Sequence, residues 1–325
     1  MLSHYDLGAL RDARRVERGF INENWRLETV QGQYFLKRRH PSLRAPDVIR
    51  DQHALMTYLR RAQFPTPALL PTIHGGTLLI WDGECYEIQE YIKGTPYDHQ
   101  RPAHFEAAAW TLGLYHLLAQ GFAPQSLCKS RDLYNPAILQ ANLSRLADAW
   151  KLTLTFKVVQ QIEAHADDLA ARFSAHGELP HLVIHGDYYA GNLLYKHDCI
   201  VGVVDYDKAR WQPRVVELAE ALIYFASPRP GHLKHLVYPG FFEWEPFTRF
   251  LKHYTSEVAL TESETRALPD YVRCIWLQVS LQRLWERGVR PPWALEALQE
   301  GLALGDWAGT NAEKMIELLR HKGAL

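Results

Sequence analysis

Cysteine is scarce in this 325-residue sequence, and its spacing excludes several kinds of site. The four cysteines stand at positions 85, 128, 199 and 274. No two of them have the Cys-x-x-Cys spacing of zinc sites and dithiol redox motifs. A chain of this length can bury a large apolar core, so it does not need disulfide bonds to fold. We therefore expect a protein of the reducing cytoplasm.

Long apolar runs and an excess of charge are also missing. No stretch of about 18 apolar residues occurs, so no membrane span is expected. The first residues lack the charged start and apolar core of a signal peptide. The formal net charge is −1, so no basic field exists to hold a nucleic-acid backbone. A basic run at residues 37–40 is interpreted mainly as a solvated face, and neither a membrane nor a nucleic acid is expected as a partner.

The N-terminal segment has the patterns of a mixed β and α structure. Side chains alternate on both sides of a turn at residues 31–33, which predicts a β-hairpin. Apolar side chains at helical spacing predict a helix over residues 46–61, and prolines end it. Further short strands are predicted over residues 69–73, 77–81 and 86–91.

A break at residues 93–96 is interpreted as the boundary between two lobes. It divides the chain into residues 1–92 and residues 93–325. The second segment is largely helical by its spacing of apolar residues. Its exception is a β island over residues 182–204, in which short strands surround a polar loop.

This polar loop carries the strongest chemical signal. Asp187 is followed five residues later by Asn192, and Asp205 stands at the end of a β-branched run. Phosphoryl transfer needs a carboxylate for the acceptor hydroxyl, hard oxygen ligands for Mg²⁺ and a basic residue for the phosphates. Asp187 suits the first role, and Asn192 with Asp205 suits the second. Asp207 is either a second metal ligand or a cap of the following segment.

The same strings resemble the catalytic and metal loops of the aminoglycoside phosphotransferase/choline kinase family, which is similar in fold to protein kinases. The family pattern is His-Gly-Asp-x-x-x-x-Asn, then an apolar strand that ends in Asp-Phe. Every polar position of the first element is present from His185 to Asn192, whereas Tyr206 replaces the Phe of the second. The resemblance runs from about Gly19 to about Phe225. The C-terminal helices resemble homoserine-kinase-like members only loosely.

The resemblance implies an α+β, protein-kinase-like fold of two lobes. The small lobe is expected to be an antiparallel β-sheet with a helix, and the large lobe to be mainly helical. Asp187 is implied to accept or orient the proton of the acceptor. Asn192 and Asp205 are the implied Mg²⁺ ligands, with Asp207 as a further candidate, and Lys37 is the implied ligand of the α- and β-phosphates of ATP.

Further nucleotide contacts are implied in the N-terminal lobe. Gly19 and Asn22 lie where the family has its phosphate-covering loop. Gln89 and Tyr91 lie in a segment that resembles the linker between lobes, which pairs with adenine through its backbone.

One departure from the family pattern concerns the support of Lys37. The helix after this lysine should offer a Glu, and the aligned residue is Gln52. A neutral amide can accept a hydrogen bond but lacks the strength that charge gives it. Three alternatives stay open: Gln52 suffices, the adjacent Asp51 takes over through a shifted helix, or the alignment slips.

The function expected from the sequence is ATP- and Mg²⁺-dependent transfer of a phosphoryl group to a hydroxyl of a small molecule. The acceptor is an aminoglycoside or an amino-alcohol or homoserine-like metabolite, and the protein is a monomer or a homodimer. The alternative is a nucleotide-binding pseudokinase that acts as a scaffold. Candidates for the acceptor pocket, most of which we interpret as packing residues, are Trp211, Tyr238, Trp244, Asp270 and Trp276.

Overall fold

The computed structural model divides the chain into two compact units. The residues that it describes are 1–16, 21–129, 132, 134–150, 156–227, 241–287 and 293–321. The first unit comprises Met1–Asp98, Tyr115–Ser130 and Leu182–Trp211, and the second comprises His99–Leu114, Arg131–His181 and Gln212–Leu325. The first unit thus joins the N-terminal segment to most of the predicted β island. The lobe boundary after residue 92 stays a prediction.

An antiparallel sheet of five strands dominates the first unit. The strand order is β1-β2-β3-β5-β4. The strands are β1 (Leu10–Val16), β2 (Glu23–Thr29), β3 (Gln33–Arg38), β4 (Leu79–Trp81) and β5 (Glu84–Glu90). The hairpin of β2 and β3 was predicted, and its turn is closed by the Thr29 N–H, which donates to the Gly32 carbonyl at 2.9 Å.

The two faces of β3 have opposite chemistry because neighbouring side chains on a strand point to opposite faces. Leu36 packs into an apolar cluster with Leu27 and Ile88. Lys37 is also buried, and it stands opposite Glu87 in the register of β3 with β5. One face of this sheet therefore builds the apolar core, and charged groups are buried at β3 and β5.

Helix α1 (Pro46–Arg61) has the bounds that the sequence predicts. Proline in the first helical turn is favourable because its missing N–H has no partner there in any case. Asp47 in the first turn and the arginines in the last turn suit the helix dipole. The buried face carries Ile49 and Leu59 together with polar side chains, so α1 contributes both apolar packing and hydrogen bonds.

The β island is present as two pairs of short strands. β7 (Leu193–Lys196) and β8 (Cys199–Val203) form an antiparallel hairpin, while β6 (His181–Ile184) pairs with β9 (Arg210–Pro213), and the division between the units falls inside both of these strands. Between β6 and β7, and between β8 and β9, lie the two polar loops that the sequence singles out.

The second unit is built of helices. They are α2 (Pro102–Ala119), whose last turns belong to the first unit, α3 (Pro136–Trp150), α4 (Phe156–Ala175), α5 (Arg214–Phe225), α6 (Trp244–Thr255), α7 (Glu262–Arg287), α8 (Trp293–Thr310) and α9 (Ala312–Arg320). Every residue of α5 is buried. Arg214 at its start forms a buried pair with Glu264 of α7, at 2.5 Å. None of the helices in the described ranges is long and apolar enough to cross a membrane.

Gly113 tests the packing of α2 on α6. A Cβ at this position would overlap the backbone carbonyl oxygen of Tyr254, so Gly113→Ala should force the two helices apart. We expect a loss of about 1–3 kcal/mol in the free energy of unfolding, as for other overpacked cores, measured by urea denaturation. Gly309→Ala in α8 is the matched control because nothing crowds its Cβ, and it should be neutral or stabilising. Equal effects of the two substitutions would contradict the close approach of α2 and α6.

Candidate active site

His185 fixes the start of the polar loop after β6. Its ring is fully buried. The backbone N–H of Asp187 donates to Nδ1 at 3.2 Å, and Nε2 lies 3.1 Å from the carbonyl oxygen of Val204. Since Nδ1 accepts a hydrogen bond, Nε2 carries the proton and donates to that carbonyl. The imidazole thus ties the loop of Asp187 to the strand end that precedes Asp205.

Gly186 lets the two polar loops approach each other at the backbone. Its φ is +75°, a conformation that glycine adopts without strain. A Cβ on Gly186 would overlap the carbonyl oxygen of Lys208. The guanidinium of Arg210 also joins the loops, because Nη1 lies 3.4 Å from the Gly186 carbonyl oxygen and 3.1 Å from that of Lys208.

The carboxylate of Asp187 is held on both oxygens. Asn192 Nδ2 donates to Oδ2 at 3.2 Å and to the Asp187 carbonyl at 2.9 Å. The ammonium of Lys208 lies 2.8 Å from Oδ1. The sequence predicts Asp187 and Asn192 in this loop, but it gives no signal for Lys208. Asp187 is partly exposed, so its carboxylate is fixed in direction and accessible.

Asp205 stands two residues after the end of β8 and has a left-handed backbone conformation, with φ of +71°. Asp is among the residues that tolerate this region. Its Oδ1 lies 2.8 Å from Lys37 Nζ, and its side chain is 43% exposed. Burial of the group would raise its pKa, but Lys37 outweighs this effect and lowers the pKa of Asp205 to about 2. Asp205 is therefore an ionised carboxylate with an accessible side.

Asp207 is a buried centre of contacts. Its Oδ1 pairs with Lys37 at 2.8 Å and with Arg39 at 2.7 Å, and Asn22 Nδ2 donates to Oδ2. Burial raises the pKa of Asp207 to about 6, and the cations Lys37 and Arg39 oppose that rise. Both carboxylate oxygens have protein partners, so Asp207 joins β3 to the loop between β8 and β9, residues 204–209, which is called the metal loop after its predicted role. Its predicted role as a metal ligand stays a prediction.

The basic run at residues 37–40 was interpreted as a solvated face, and this interpretation is wrong for Lys37 and Arg39. Lys37 is 3% and Arg39 is 1% exposed. Arg39 lies one residue beyond β3, and its N–H still donates to the Cys85 carbonyl at 2.9 Å. Alternate side chains of an extended chain share a face, so Lys37 and Arg39 both reach the buried carboxylates, while Arg38 points away and pairs with Glu23 at 2.6 Å. Burial would lower the pKa of Lys37, but Asp205 and Asp207 outweigh it and raise the pKa above its ordinary value.

Glu87 is a second buried carboxylate that the sequence analysis missed. It pairs with Arg39 at 2.7 Å and with His53 Nε2 at 2.9 Å, and Gln89 Nε2 donates to it at 2.6 Å. Burial would raise the pKa of Glu87, but Arg39 and His53 hold it well below its usual range. We call Lys37, Arg39, Glu87 and Asp207, together with the half-exposed Asp205 that pairs with Lys37, the buried charge cluster.

Neither Gln52 nor Asp51 bonds to Lys37. Gln52 Nε2 donates to the backbone carbonyl of Asp207 at 3.0 Å, and its buried Oε1 has no hydrogen-bond partner among the described residues. Asp51 Oδ2 accepts the backbone N–H groups of residues 125–127, at 2.9, 2.5 and 2.9 Å. The carboxylates that pair with Lys37 come from the metal loop instead of from α1.

The remaining predicted nucleotide contacts lie near the sheet. Asn22 Oδ1 accepts the backbone N–H of His40 at 2.8 Å, which holds its segment next to β3. The Tyr91 N–H donates to the Gln33 carbonyl at 3.3 Å, and the guanidinium of Arg26 lies 4.7 Å from the centre of the Tyr91 ring. Gly19 lies outside the described residues. The nucleotide-binding roles of these residues stay predictions.

The candidates for the acceptor pocket in the second unit are packed residues. Asp270 is buried and pairs with Arg172 at 2.6 Å and His176 at 2.7 Å. Trp276 is fully buried, and Trp244 stacks on Trp307 with 5.5 Å between ring centres. Their packing agrees with the interpretation preferred from the sequence, while Tyr238 lies outside the described residues.

The residues of the two loops fit a magnesium ion that a nucleotide helps to hold. No cluster of three or more His, Cys, Asp or Glu side chains with the geometry of a metal site occurs in the part of the chain that the structure describes. Mg²⁺ is commonly held by one or two carboxylates together with substrate phosphates and water. Asp205 offers an accessible carboxylate, and Asn192 Oδ1 accepts no hydrogen bond among the described residues.

Comparisons with known proteins agree with this combination of sheet, loops and helices. A homoserine kinase of Phenylobacterium zucineum is 26% identical over 295 residues, which cover 91% of this chain and 86% of that protein. Amicoumacin kinase hAmiN, solved in complex with AMP-PNP, Ca²⁺ and Ami, has a TM-score of 0.68 at 14% identity, over 96% of this chain and 91% of that one. A microcompartment-associated aminopropanol kinase has a TM-score of 0.64 at 16% identity, over 99% and 96%.

The fold and its polar loops define the class of kinase-like phosphotransferases, as the sequence predicts. The model of the phosphotransferase enzyme family matches residues 12–237, and this chain belongs to that family. The predictions of a protein-kinase-like fold and of a small-molecule kinase are confirmed.

Substitutions of two neighbouring arginines, Arg38 at the end of β3 and Arg39 directly after it, test the buried charge cluster. Arg39→Met removes the cation that Glu87 and Asp207 share and leaves both carboxylates short of a partner. We expect a loss of about 3–5 kcal/mol in the free energy of unfolding, as for other broken buried pairs, measured by urea denaturation. Arg38→Met removes a more exposed pair with Glu23 and should change stability by about 1 kcal/mol or less. Similar losses in the two variants would show that Arg39 is not the buried partner described above.

Proposed function

We propose that the protein transfers the γ-phosphate of ATP, with Mg²⁺, to the hydroxyl group of a small amino alcohol such as homoserine. The observation that carries the proposal is the fixed and accessible carboxylate of Asp187, held by Asn192 and Lys208 within a loop that is tied to Asp205. A carboxylate in this setting can accept a proton from an alcohol that attacks phosphorus. We also propose a cytoplasmic location, because a chain of this length does not need disulfide bonds to fold.

Each residue of the two loops has a separate task in the proposed reaction. Asp187 orients the acceptor hydroxyl and receives its proton as the new bond to phosphorus forms. Asn192 and Asp205 would hold Mg²⁺, which supplies positive charge next to the β- and γ-phosphates when bound. Lys37 would leave Asp205 and bind the α- and β-phosphates. The leaving ADP takes the electrons of the broken bond.

The relatives support an amino alcohol over an aminoglycoside as the acceptor. The similarity to the homoserine kinase covers 91% of this chain and therefore includes the helical second unit. Pocket contacts decide the acceptor within a fold that serves many substrates. Homoserine and aminopropanol accordingly come first in an acceptor panel, with ethanolamine, choline and an aminoglycoside as comparators.

Asp187→Asn tests the proposed base. The substitution preserves shape but cannot accept the proton, so kcat should fall by a factor on the order of 10²–10⁴, while the Kd of ATP changes little. The measurement is ADP release with each acceptor, together with calorimetry of nucleotide binding. Asp82→Asn, in the turn between β4 and β5, is the control and should keep full activity. Near wild-type turnover by Asp187→Asn with the best acceptor would overturn the assignment of the base.

The dependence on metal separates the kinase from the pseudokinase scaffold. EDTA should abolish ADP release, and added Mg²⁺ should restore it, because the phosphates and the loop carboxylates repel one another without a cation. A nucleotide-binding scaffold can bind ATP, but its binding would show no dependence on Mg²⁺ and it would show no slow hydrolysis of ATP. The absence of both in a folded preparation would favour the scaffold over the kinase.

A further inference from the structure

Lys208 is an accessible cation next to the proposed base. Its ammonium lies 2.8 Å from Asp187 Oδ1, and its side chain is 44% exposed. It stands three residues after Asp205 on the metal loop, so a single loop carries both a proposed metal ligand and this cation.

The backbone of Lys208 is held in place. Arg210 Nη1 donates to the Lys208 carbonyl at 3.1 Å, and Gly186 leaves room for that carbonyl against the loop of Asp187. The N–H of Ala209 donates to the Tyr206 carbonyl at 3.0 Å, which closes the short helical turn around Lys208. The backbone of Lys208 is therefore fixed, while its long and partly exposed side chain can bring the ammonium to different partners.

Two other cations near the loops, Lys37 and Arg39, have different surroundings. Lys37 is bound to Asp205 and Asp207, and Arg39 is bound to Glu87 and Asp207, in both cases with the side chain buried. Removing either cation from all its partners would leave a buried charge uncompensated. The ion pair of Lys208 with Asp187 is exposed to water, and such pairs are weak. Lys208 can therefore release Asp187 at little cost.

We propose that Lys208 is a ligand of the γ-phosphate and that it exchanges Asp187 for the phosphoryl group when ATP binds. This inference rests on the proposed function and adds a catalytic residue to it. With Lys208 on the phosphate, Asp187 Oδ1 is free for the acceptor hydroxyl. As the acceptor oxygen bonds to phosphorus, its proton passes to Asp187, and the bond between phosphorus and the ADP oxygen breaks with its electrons on ADP.

Lys208 has a different partner in the resting site and in the proposed transition state. Before substrates bind, the lysine holds the carboxylate through the contact of 2.8 Å with Oδ1. In the transition state, charge is spread over the oxygens of the transferring group. A cation that contacts these oxygens stabilises the transition state more than the resting state, and this difference lowers the barrier.

The test compares AMP-PNP and ADP, which differ by the terminal phosphate group. For Lys208→Met, calorimetry with Mg²⁺ should show an affinity for AMP-PNP about tenfold lower, with the affinity for ADP unchanged. With the acceptor, kcat should fall on the order of 10²-fold, and the KM of the acceptor should change little. Lys208→Arg keeps the charge and should recover most of the affinity for AMP-PNP.

Lys196→Met is the matched control because Lys196 is an exposed lysine of the same unit at the end of β7, and it should bind both nucleotides as the wild type does. Equal losses for ADP and AMP-PNP in Lys208→Met, or no loss for either, would overturn the assignment. If the wild type turns over acceptor and Lys208→Met does so at the same rate, only the role of Lys208 fails. A wild type that binds neither nucleotide would overturn the proposed function and this inference together.

Discussion

The buried charge cluster is the interaction on which the arrangement of the first unit depends. Asp205 forms the exposed edge of this cluster, with its side chain 43% exposed. Lys37 of β3, Arg39 directly after β3, Glu87 of β5 and Asp207 of the metal loop are packed together with little contact with water. Each charge loses its hydration there, and only its partners offset that loss. The strand therefore cannot shift without the loop, because a displacement would leave charges unpaired. The position of the metal loop is in this way fixed by the sheet.

Sequence patterns predict well those parts of the molecule whose neighbours in space are also neighbours in sequence. The bounds of α1 and the hairpin of β2 and β3 follow from local periodicity, and the string from His185 to Asn192 is a local motif. β1 (Leu10–Val16) was not predicted, since it is an edge strand rich in arginine and lacks the alternation of apolar residues.

The missed site residues depend on contacts between distant segments. Arg39 looks like one cation in a solvated run until β5 and the metal loop supply its partners. Lys208 is one of many lysines until the loop of Asp187 is placed beside it. Gln52 suggests a weakened site because its position in the family carries a Glu, but the lysine finds its carboxylates elsewhere. Composition and spacing carry no information about such pairings.

The three hydrogen bonds that Asp51 accepts from residues 125–127 have a consequence for regulation. In protein kinases, the helix that corresponds to α1 controls activity by moving toward or away from the site. Here, one face of α1 is anchored by Asp51 and another by the bond from Gln52 to the metal loop. A helix that is anchored on two faces is hindered from moving in this way. Displacing α1 would require both anchors to break, so the fold itself sets the position of this helix next to the metal loop.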